Sequence, residues 1–155
     1  MPKLQLQYYL QHTIKMTNPY LTKVFYFNAA HQYGHSDWTD EKNTNVFGLD
    51  AKVHGHNYTL EVMVMGEVNP QTGFIVDLGH LKEIVETNVI NILDHSQIEK
   101  EVDWFKGKQP SSENMVQFIW EQINFRLKGA KLYRIRLRET QTIFTDYFGK
   151  DSNEV

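Results

Sequence analysis

The chain of 155 residues contains no cysteine. This absence excludes disulfide bonds, thiolate metal ligands and a thiol nucleophile, so any metal ion would need histidine or oxygen ligands. The chain also has no excess of basic residues, because 16 lysines and arginines stand against 19 acidic residues and give a net charge of -3. We therefore predict that it is not a general nucleic-acid binder.

Long hydrophobic runs are missing as well. A membrane-spanning helix would need about 18 consecutive apolar residues, and no stretch of the chain approaches that length. The first 20 residues also lack the apolar stretch of a signal peptide. We therefore expect a cytoplasmic protein that has no membrane partner.

The length corresponds to a single domain, and a hydrophobic fraction of 41% is that of an ordinary globular protein. The domain is predicted to span residues 21–149. An N-terminal extension over residues 1–20 would precede it, with Met16 as an alternative start, and a polar tail over residues 150–155 would follow.

Hydrophobic periodicity predicts the fold class. Four strands are predicted, over residues 21–30, 53–68, 131–140 and 142–148. Two helices are predicted, from Asp77 to about Leu93 and from about Ser111 to Lys128, and residues 32–52 are predicted to form a long polar loop. The order ββααββ indicates an α+β fold, with a four-stranded antiparallel sheet and two helices packed on one of its faces.

The sharpest local motif is His54-Gly55-His56. Residues two positions apart on a strand point to the same face, so these imidazoles could bind one cation. His31 ends the apolar face of the preceding strand and would be a third ligand if the two strands pair. Three imidazoles with an open fourth position are typical of catalytic zinc sites. A surface pair or a hydrogen-bonded core pair is the alternative, and His35 could replace His31.

Other polar residues are candidates for catalysis or ligand binding. Glu139 ends the apolar face of its strand, where a carboxylate needs a partner such as an arginine or a ligand with two N–H donors. Asp94 and His95 could form an acid–base pair or simply a polar helix end. Residues 110–114 begin the second predicted helix, where a polar ligand or plain capping by Ser111 would both fit.

Together these motifs resemble the 6-pyruvoyl-tetrahydropterin synthase and 6-carboxytetrahydropterin synthase family over about residues 21–149. The motifs are, in chain order, Phe27–His31, Val46–Gly48, His54–Tyr58, Gly66–Gly73, Asp77-Leu78 with Leu81-Lys82, Leu93–His95, Pro110–Asn114 and Glu139-Thr140. The resemblance implies the tunnelling fold, in which the sheets of several subunits join into a barrel. It also implies a homohexamer, a dimer of trimers, with active sites at subunit interfaces.

The resemblance further implies a zinc-dependent lyase that acts on 7,8-dihydroneopterin triphosphate, in pterin or queuosine-precursor biosynthesis. The implied Zn²⁺ ligands are His31, His54 and His56. The implied pterin-binding residues are Ser111, Ser112, Glu113 and Glu139. Asp94 and His95 match the pair that relays a proton in this family.

The chain departs from the family pattern at the usual catalytic cysteine. That cysteine falls two residues after a Phe-Gly pair, and here the position is Asp50. A carboxylate is a weaker base than a thiolate unless desolvation raises its pKa. A subgroup with glutamate there cleaves the side chain to make 6-hydroxymethyl-dihydropterin for folate synthesis, and Asp50 resembles that substitution. Asp40 or Glu41 could also supply the base, and a pterin-binding homologue with little catalysis is a further alternative.

Overall fold

The computed structural model describes residues 18–150. The predicted start at Met16, most of the predicted extension and nearly all of the predicted tail therefore lie outside the described residues. The described part contains one antiparallel sheet of four strands in the order β1-β2-β3-β4. The strands are β1 (Tyr20–His31), β2 (His54–Met65), β3 (Lys131–Arg138) and β4 (Phe144–Tyr147).

Within residues 18–150, one helix lies between β1 and β2, and the other four lie between β2 and β3. They are α1 (Asp40–Phe47), α2 (Leu78–Val85), α3 (Asn91–Leu93), α4 (Ile98–Glu101) and α5 (Ser112–Asn124). A π-helical turn, Glu86–Ile90, joins α2 to α3, and 3₁₀ turns occupy Gly48–Ala51 and Asp103–Phe105. No helix within residues 18–150 is long and apolar enough to cross a membrane.

One face of the sheet carries the hydrophobic core. The buried apolar residues of the strands are Phe25, Phe27, Ala29, Tyr58, Leu60, Val62, Val64, Leu132, Ile135 and Leu137. They form one cluster with buried side chains of α2 and α5, such as Leu81, Val85 and Ile119. The other face is more exposed and mixed, with Arg134 and Arg138 paired to Glu61 and with the apolar side chains of Val24 and Tyr26 exposed beside them. The predicted α+β architecture is confirmed.

The prediction of a polar loop over residues 32–52 is wrong, because this segment contains α1 and the 3₁₀ turn that follows it. Thr39 caps α1 by accepting a hydrogen bond from the Lys42 backbone N–H. No side chain of α1 is buried. The apolar stripe that identified the two longer helices is therefore missing here.

Several predicted boundaries and faces also change. β2 ends at Met65, α5 at Asn124 and β3 at Arg138, each earlier than predicted. The predicted first helix is confirmed over its length. Its apolar spacing predicts a buried Ile92, but the π-helical turn shifts the buried face by one residue, so Leu93 reaches the core instead.

A register shift changes the buried residue at the start of β3. The shift lies between Met63 and Val64 of the neighbouring strand β2. As a result Leu132 is 2% exposed and lies in the core, whereas Tyr133 is 36% exposed. The alternation of Tyr133, Ile135 and Leu137 predicts that Tyr133 shares the core face of this strand, and that prediction is wrong.

Candidate metal centre

Pairing of β1 with β2 brings three histidines together at one end of the core face. His31 stands opposite His54, and Ala29 stands opposite His56. The ring centroids are 4.5 Å apart for His31 and His54, 5.1 Å for His31 and His56, and 5.1 Å for His54 and His56. The three predicted metal ligands are thus adjacent because of the register of two neighbouring strands.

Gly55 allows the two strands to approach closely at this point. A Cβ atom on Gly55 would lie 3.0 Å from the Ala29 carbonyl oxygen, tighter than ordinary contact. Packing therefore explains the glycine between the two histidines, because any side chain there would contact the backbone of β1 too closely.

Two of the imidazoles have a fixed orientation. His31 donates from Nδ1 to the Pro110 carbonyl at 2.8 Å, and His54 donates from Nδ1 to the Lys52 carbonyl at 2.8 Å. The proton of each neutral ring is thereby held on Nδ1, so both Nε2 atoms present lone pairs, and these atoms lie 2.9 Å apart. Two lone pairs that face each other repel, and a cation bound between them would remove this repulsion.

The third imidazole is also suited to bind a cation. The Nε2 atom of His56 is buried and makes no hydrogen bond, although Glu139 Oε1 lies 2.9 Å from it. Burial lowers the pKa of the His56 imidazole, the charge of Glu139 opposes this, and the neighbouring imidazoles lower it further. The neutral ring, which is the form that binds metals, is therefore favoured.

The donor set fits a divalent ion. One ligand atom from each of His31, His54, His56 and Glu139 can be chosen so that all four lie within 4.8 Å of one another. Imidazole and carboxylate ligands suit Zn²⁺ and related transition metals. His35, the alternative third ligand, lies apart from this cluster, with its ring 4.1 Å from the ring of Trp38. The residues present therefore fit the expected metal.

Asp50 lies beside this cluster, in the 3₁₀ turn that precedes β2. Its Oδ1 atom is 3.7 Å from Nε2 of His54, and its side chain is 66% exposed. Asp40 and Glu41 lie instead in the first turn of α1, and neither forms an ion pair with the cluster in the described part of the chain. Among the three candidate bases, the geometry favours Asp50.

Asp94 and His95 form a pair at the outer edge of β1. Asp94 Oδ1 accepts a hydrogen bond from the Asn28 backbone N–H at 2.8 Å, and Oδ2 lies 2.8 Å from His95 Nδ1. The Asn28 N–H and the His95 ring hold the pKa of Asp94 below its usual value. His95 has a φ of 62°, a left-handed conformation that is rare for a residue with a side chain.

The His95 side chain is 78% exposed. Within residues 18–150, neither Asp94 nor His95 has a hydrogen bond or ion pair to the three clustered imidazoles. The structure therefore forms the predicted acid–base pair but does not join it to the metal centre of the same chain.

The predicted pterin-binding segment begins α5. Ser111 caps this helix by accepting from the Asn114 backbone N–H at 3.3 Å. Ser112 is buried, and its hydroxyl lies 2.8 Å from that of Thr145. Both hydroxyls thus have structural partners, whereas the charge of Glu113 contributes to the raised pKa of Tyr33.

Tyr33 was not predicted as a site residue. Its ring lies 5.1 Å from that of His31 in an edge-on contact. Burial raises the pKa of its hydroxyl, and the charges of Glu139, Glu113 and Asp50 raise it further. The neutral phenol therefore stands among three carboxylates. Tyr33 lies two residues after His31 and so continues the alternation of β1. This spacing is the sequence signal that could have identified it.

Comparison with known proteins identifies the family to which this chain belongs. The sequence model described as 6-pyruvoyl tetrahydropterin synthase matches residues 20–150. The chain belongs to this family. The 6-pyruvoyl tetrahydrobiopterin synthase of Drosophila melanogaster is 34% identical over 133 residues, which cover 84% of this chain and 79% of that protein. The dihydroneopterin monophosphate aldolase of Pyrococcus furiosus is 33% identical over 114 residues, which cover 73% and 82%.

Solved structures agree with the sequence comparison. The 6-pyruvoyl tetrahydropterin synthase of Caenorhabditis elegans superposes with a TM-score of 0.78 at 31% identity, covering 87% of this chain and 99% of that chain. The predicted family and the tunnelling fold of the subunit are thereby confirmed. Membership of the family also supports the predicted class of enzyme, a lyase of the 6-pyruvoyl tetrahydropterin synthase type.

Proposed function

We propose that this protein is a Zn²⁺-dependent lyase that acts on 7,8-dihydroneopterin triphosphate. The observation that carries the proposal is the convergence of three imidazoles and a carboxylate, with Asp50 Oδ1 3.7 Å from one of the imidazoles. Family membership supplies the pterin as substrate class, and the donor set supports zinc as the metal.

The metal ligands in this proposal are His31, His54 and His56. The ion would supply Lewis acidity to an oxygen of the substrate side chain and thus acidify the neighbouring C–H bond. Asp50 would take the proton from that carbon. Because this carboxylate is largely exposed, it becomes an effective base only when bound substrate excludes water from it.

The pterin ring would be held by Glu139 and Glu113, with Ser111 and Ser112 shaping the start of α5 beside it. A carboxylate accepts two parallel hydrogen bonds from the planar N–H donors of an amino-pyrimidinone ring. The side chain of Glu139 is only 16% exposed, which favours a strong interaction with such a ligand.

A second subunit would complete the active site. Asp94 and His95 lie at the edge of β1, which is an outer strand of the sheet. Residues 94–96 hydrogen-bond to the backbone of Asn28 and Ala30 at one end of this edge, and the rest of an edge strand can pair with a neighbouring chain. We propose that subunits join along these edges into the barrel of a homohexamer, so that His95 of one chain relays a proton in the site of the next.

A second candidate activity is cleavage of the pterin side chain to 6-hydroxymethyl-dihydropterin. The Pyrococcus furiosus relative is named an aldolase, and this chain has Asp50 and no cysteine at the position of the usual base. The two reactions differ in the bond that breaks, since the aldolase type would release a phosphorylated two-carbon aldehyde whereas the synthase type would release triphosphate.

Product analysis separates these activities. Zinc-loaded protein is incubated with 7,8-dihydroneopterin triphosphate or the monophosphate, and the products are identified by mass. Asp50→Asn should reduce turnover by at least about a hundredfold, whereas Glu41→Gln, a matched change on the exposed surface of α1, should not. Tight pterin binding without turnover would favour a binding homologue, and no pterin binding at all would leave only a structural role for the metal.

A further inference from the structure

The segment between β1 and β2, residues 32–51, carries Asp50 but is not anchored by the hydrophobic core. No side chain of α1 is buried, and the apolar residues Val46 and Leu49 are 57% and 80% exposed. Apolar burial, which holds the longer helices on the sheet, therefore contributes little to its position. Directional hydrogen bonds, together with the ring contact of Tyr33 with His31, must place it.

Gln109 makes the first of these contacts. Its Oε1 atom accepts a hydrogen bond from the Gly34 backbone N–H at 3.0 Å, and its Nε2 atom donates to the Gly34 carbonyl at 2.9 Å. The carbonyl of Gln109 in turn accepts from Asn114 of α5 at 2.9 Å. The next residue, Pro110, accepts the Nδ1 hydrogen of His31. The Gln109 side chain thus holds the start of the segment, and the backbone carbonyls of Gln109 and Pro110 link the same stretch to α5 and to His31.

Asn43 makes a second contact of the same kind. Its Oδ1 atom accepts from the His35 backbone N–H at 2.9 Å, and its Nδ2 atom donates to the His35 carbonyl at 3.0 Å. Asn43 lies in the middle of α1. The helix is therefore tied through its own side chain to the stretch that Gln109 holds.

The far end of the segment closes back on its beginning. The Tyr33 backbone N–H donates to the Asp50 carbonyl at 3.0 Å, and Gln32 Nε2 donates to the Ala51 carbonyl at 2.7 Å. Movement of α1 would therefore be transmitted to Asp50, because the 3₁₀ turn that holds Asp50 follows α1 without a break.

We propose that Asn43 and Gln109 are positioning residues that keep Asp50 beside His54. This inference rests on the proposed role of Asp50 as the base. Misplacement of a catalytic group by about 1 Å can cost about a hundredfold in rate. Loss of either amide should thus lower kcat while the core of the sheet and the three imidazoles stay in place.

Hydrogen exchange on the metal-loaded full chain tests the structural half of the proposal. Asn43→Ala and Gln109→Ala should each speed exchange of the backbone amides of residues 34–51 by at least about tenfold, and leave β2 and α5 unchanged. Asn45→Ala, an exposed change on the same helix, and Gln71→Ala, in a distant turn, are matched controls. Unchanged exchange in residues 34–51 would overturn the proposal, whether or not the protein turns over a pterin.

Kinetics test the functional half. Asn43→Ala and Gln109→Ala should lower kcat by about tenfold to a hundredfold, with metal content unchanged and the KM for the pterin within about twofold. Asn43→Asp keeps the acceptor for the His35 N–H and should therefore retain more activity than Asn43→Ala. This variant also serves as a control for misfolding.

Combination with Asp50→Ala identifies the residue through which the amides act. If they act by placing Asp50, adding Asn43→Ala to Asp50→Ala should cause no further loss of kcat. A further loss equal to that in the wild-type background would overturn the positioning role, as would wild-type kcat in both amide variants. A wild-type protein without turnover would instead refute the proposed function, and hydrogen exchange would then decide the placement of the segment alone.

Discussion

Glu139 Oε1 lies 2.9 Å from Nε2 of His56. The same oxygen is 3.6 Å from Nε2 of His31. The Glu139 carboxylate thus has imidazoles as its neighbours. From this position it could bind either a metal ion or a ligand beside that ion. The two roles predict different losses when the charge is removed.

Glu139→Gln should weaken binding of a pterin by about tenfold to a hundredfold, the value of a hydrogen bond to a charged group. Metal content should stay complete, because three imidazoles remain. Calorimetry with a stable pterin and metal analysis of the same sample measure both quantities. Glu83→Gln, on the exposed side of α2, is the matched control. Loss of the metal with unchanged pterin affinity would make Glu139 a metal ligand instead.

His54→Ala and His56→Ala should each weaken Zn²⁺ binding by more than about a hundredfold, since loss of a residue that only supports a ligand already costs about tenfold to a hundredfold. His35→Ala should bind Zn²⁺ normally, because the His35 ring contacts Trp38 and His35 is not part of the cluster. Competition with a chromogenic chelator measures the affinities. A double His54→Ala/His56→Ala variant that retains a full equivalent of zinc would refute the metal centre.

His95→Gly should be more stable than His95→Ala by about 1 kcal/mol, the cost of a left-handed backbone for a residue with a Cβ atom. The φ of His95 is 62°, and its exposed ring contributes little packing. Urea unfolding of both variants gives the difference. Both should lose about a hundredfold or more in turnover if the ring relays a proton. Equal stability of the two variants would show that the backbone relaxes without cost.

The Arg136–Asp146 pair should give a pH-dependent contribution to stability. Arg136 donates from Nε and Nη2 to the two carboxylate oxygens, both at 2.7 Å, and holds the pKa of Asp146 below its usual 3.8. The unfolded chain therefore binds this proton more readily than the folded chain. The contribution of the ion pair to stability is therefore complete at a pH above the usual pKa of aspartate. It is lost as the pH falls through the lowered pKa of Asp146.

Asp146→Asn should accordingly lower the free energy of unfolding at neutral pH, and the difference from wild type should shrink below about pH 4. Denaturant titrations between pH 7 and 3 measure it. Asp103→Asn, which breaks an exposed pair with Lys106, should change stability little at any pH. A difference from wild type that stays constant down to pH 3 would contradict the assignment.

Sequence patterns predicted the elements that bury one face. β1 and β2 alternate apolar and polar residues because one side packs on the core, and α5 shows the helical spacing for the same reason. α1 was missed because it buries no side chain and is held by amide hydrogen bonds. Such bonds leave no periodic signal in the sequence.

The histidine cluster of the candidate metal centre could be predicted because strand geometry alone brings its residues together. His54 and His56 share a face by their spacing, and His31 joins them through the pairing of adjacent strands. Gln109 and Gly34 are 75 residues apart, and only the packing of α5 against the sheet brings them into contact. The placement of Asp94 and His95 at the edge of β1 likewise depends on tertiary structure.

Gly55 determines how closely β1 and β2 approach beside the three imidazoles. An alanine there would force the Ala29 carbonyl away by a few tenths of an ångström, and Ala29 stands opposite His56 in the strand pair. Nitrogen ligands bind zinc at about 2.0–2.1 Å, so a wider gap between β1 and β2 would suit an ion of larger radius. The absence of a side chain at Gly55 thus keeps β1 and β2 close together where His31 lies beside His54 and His56.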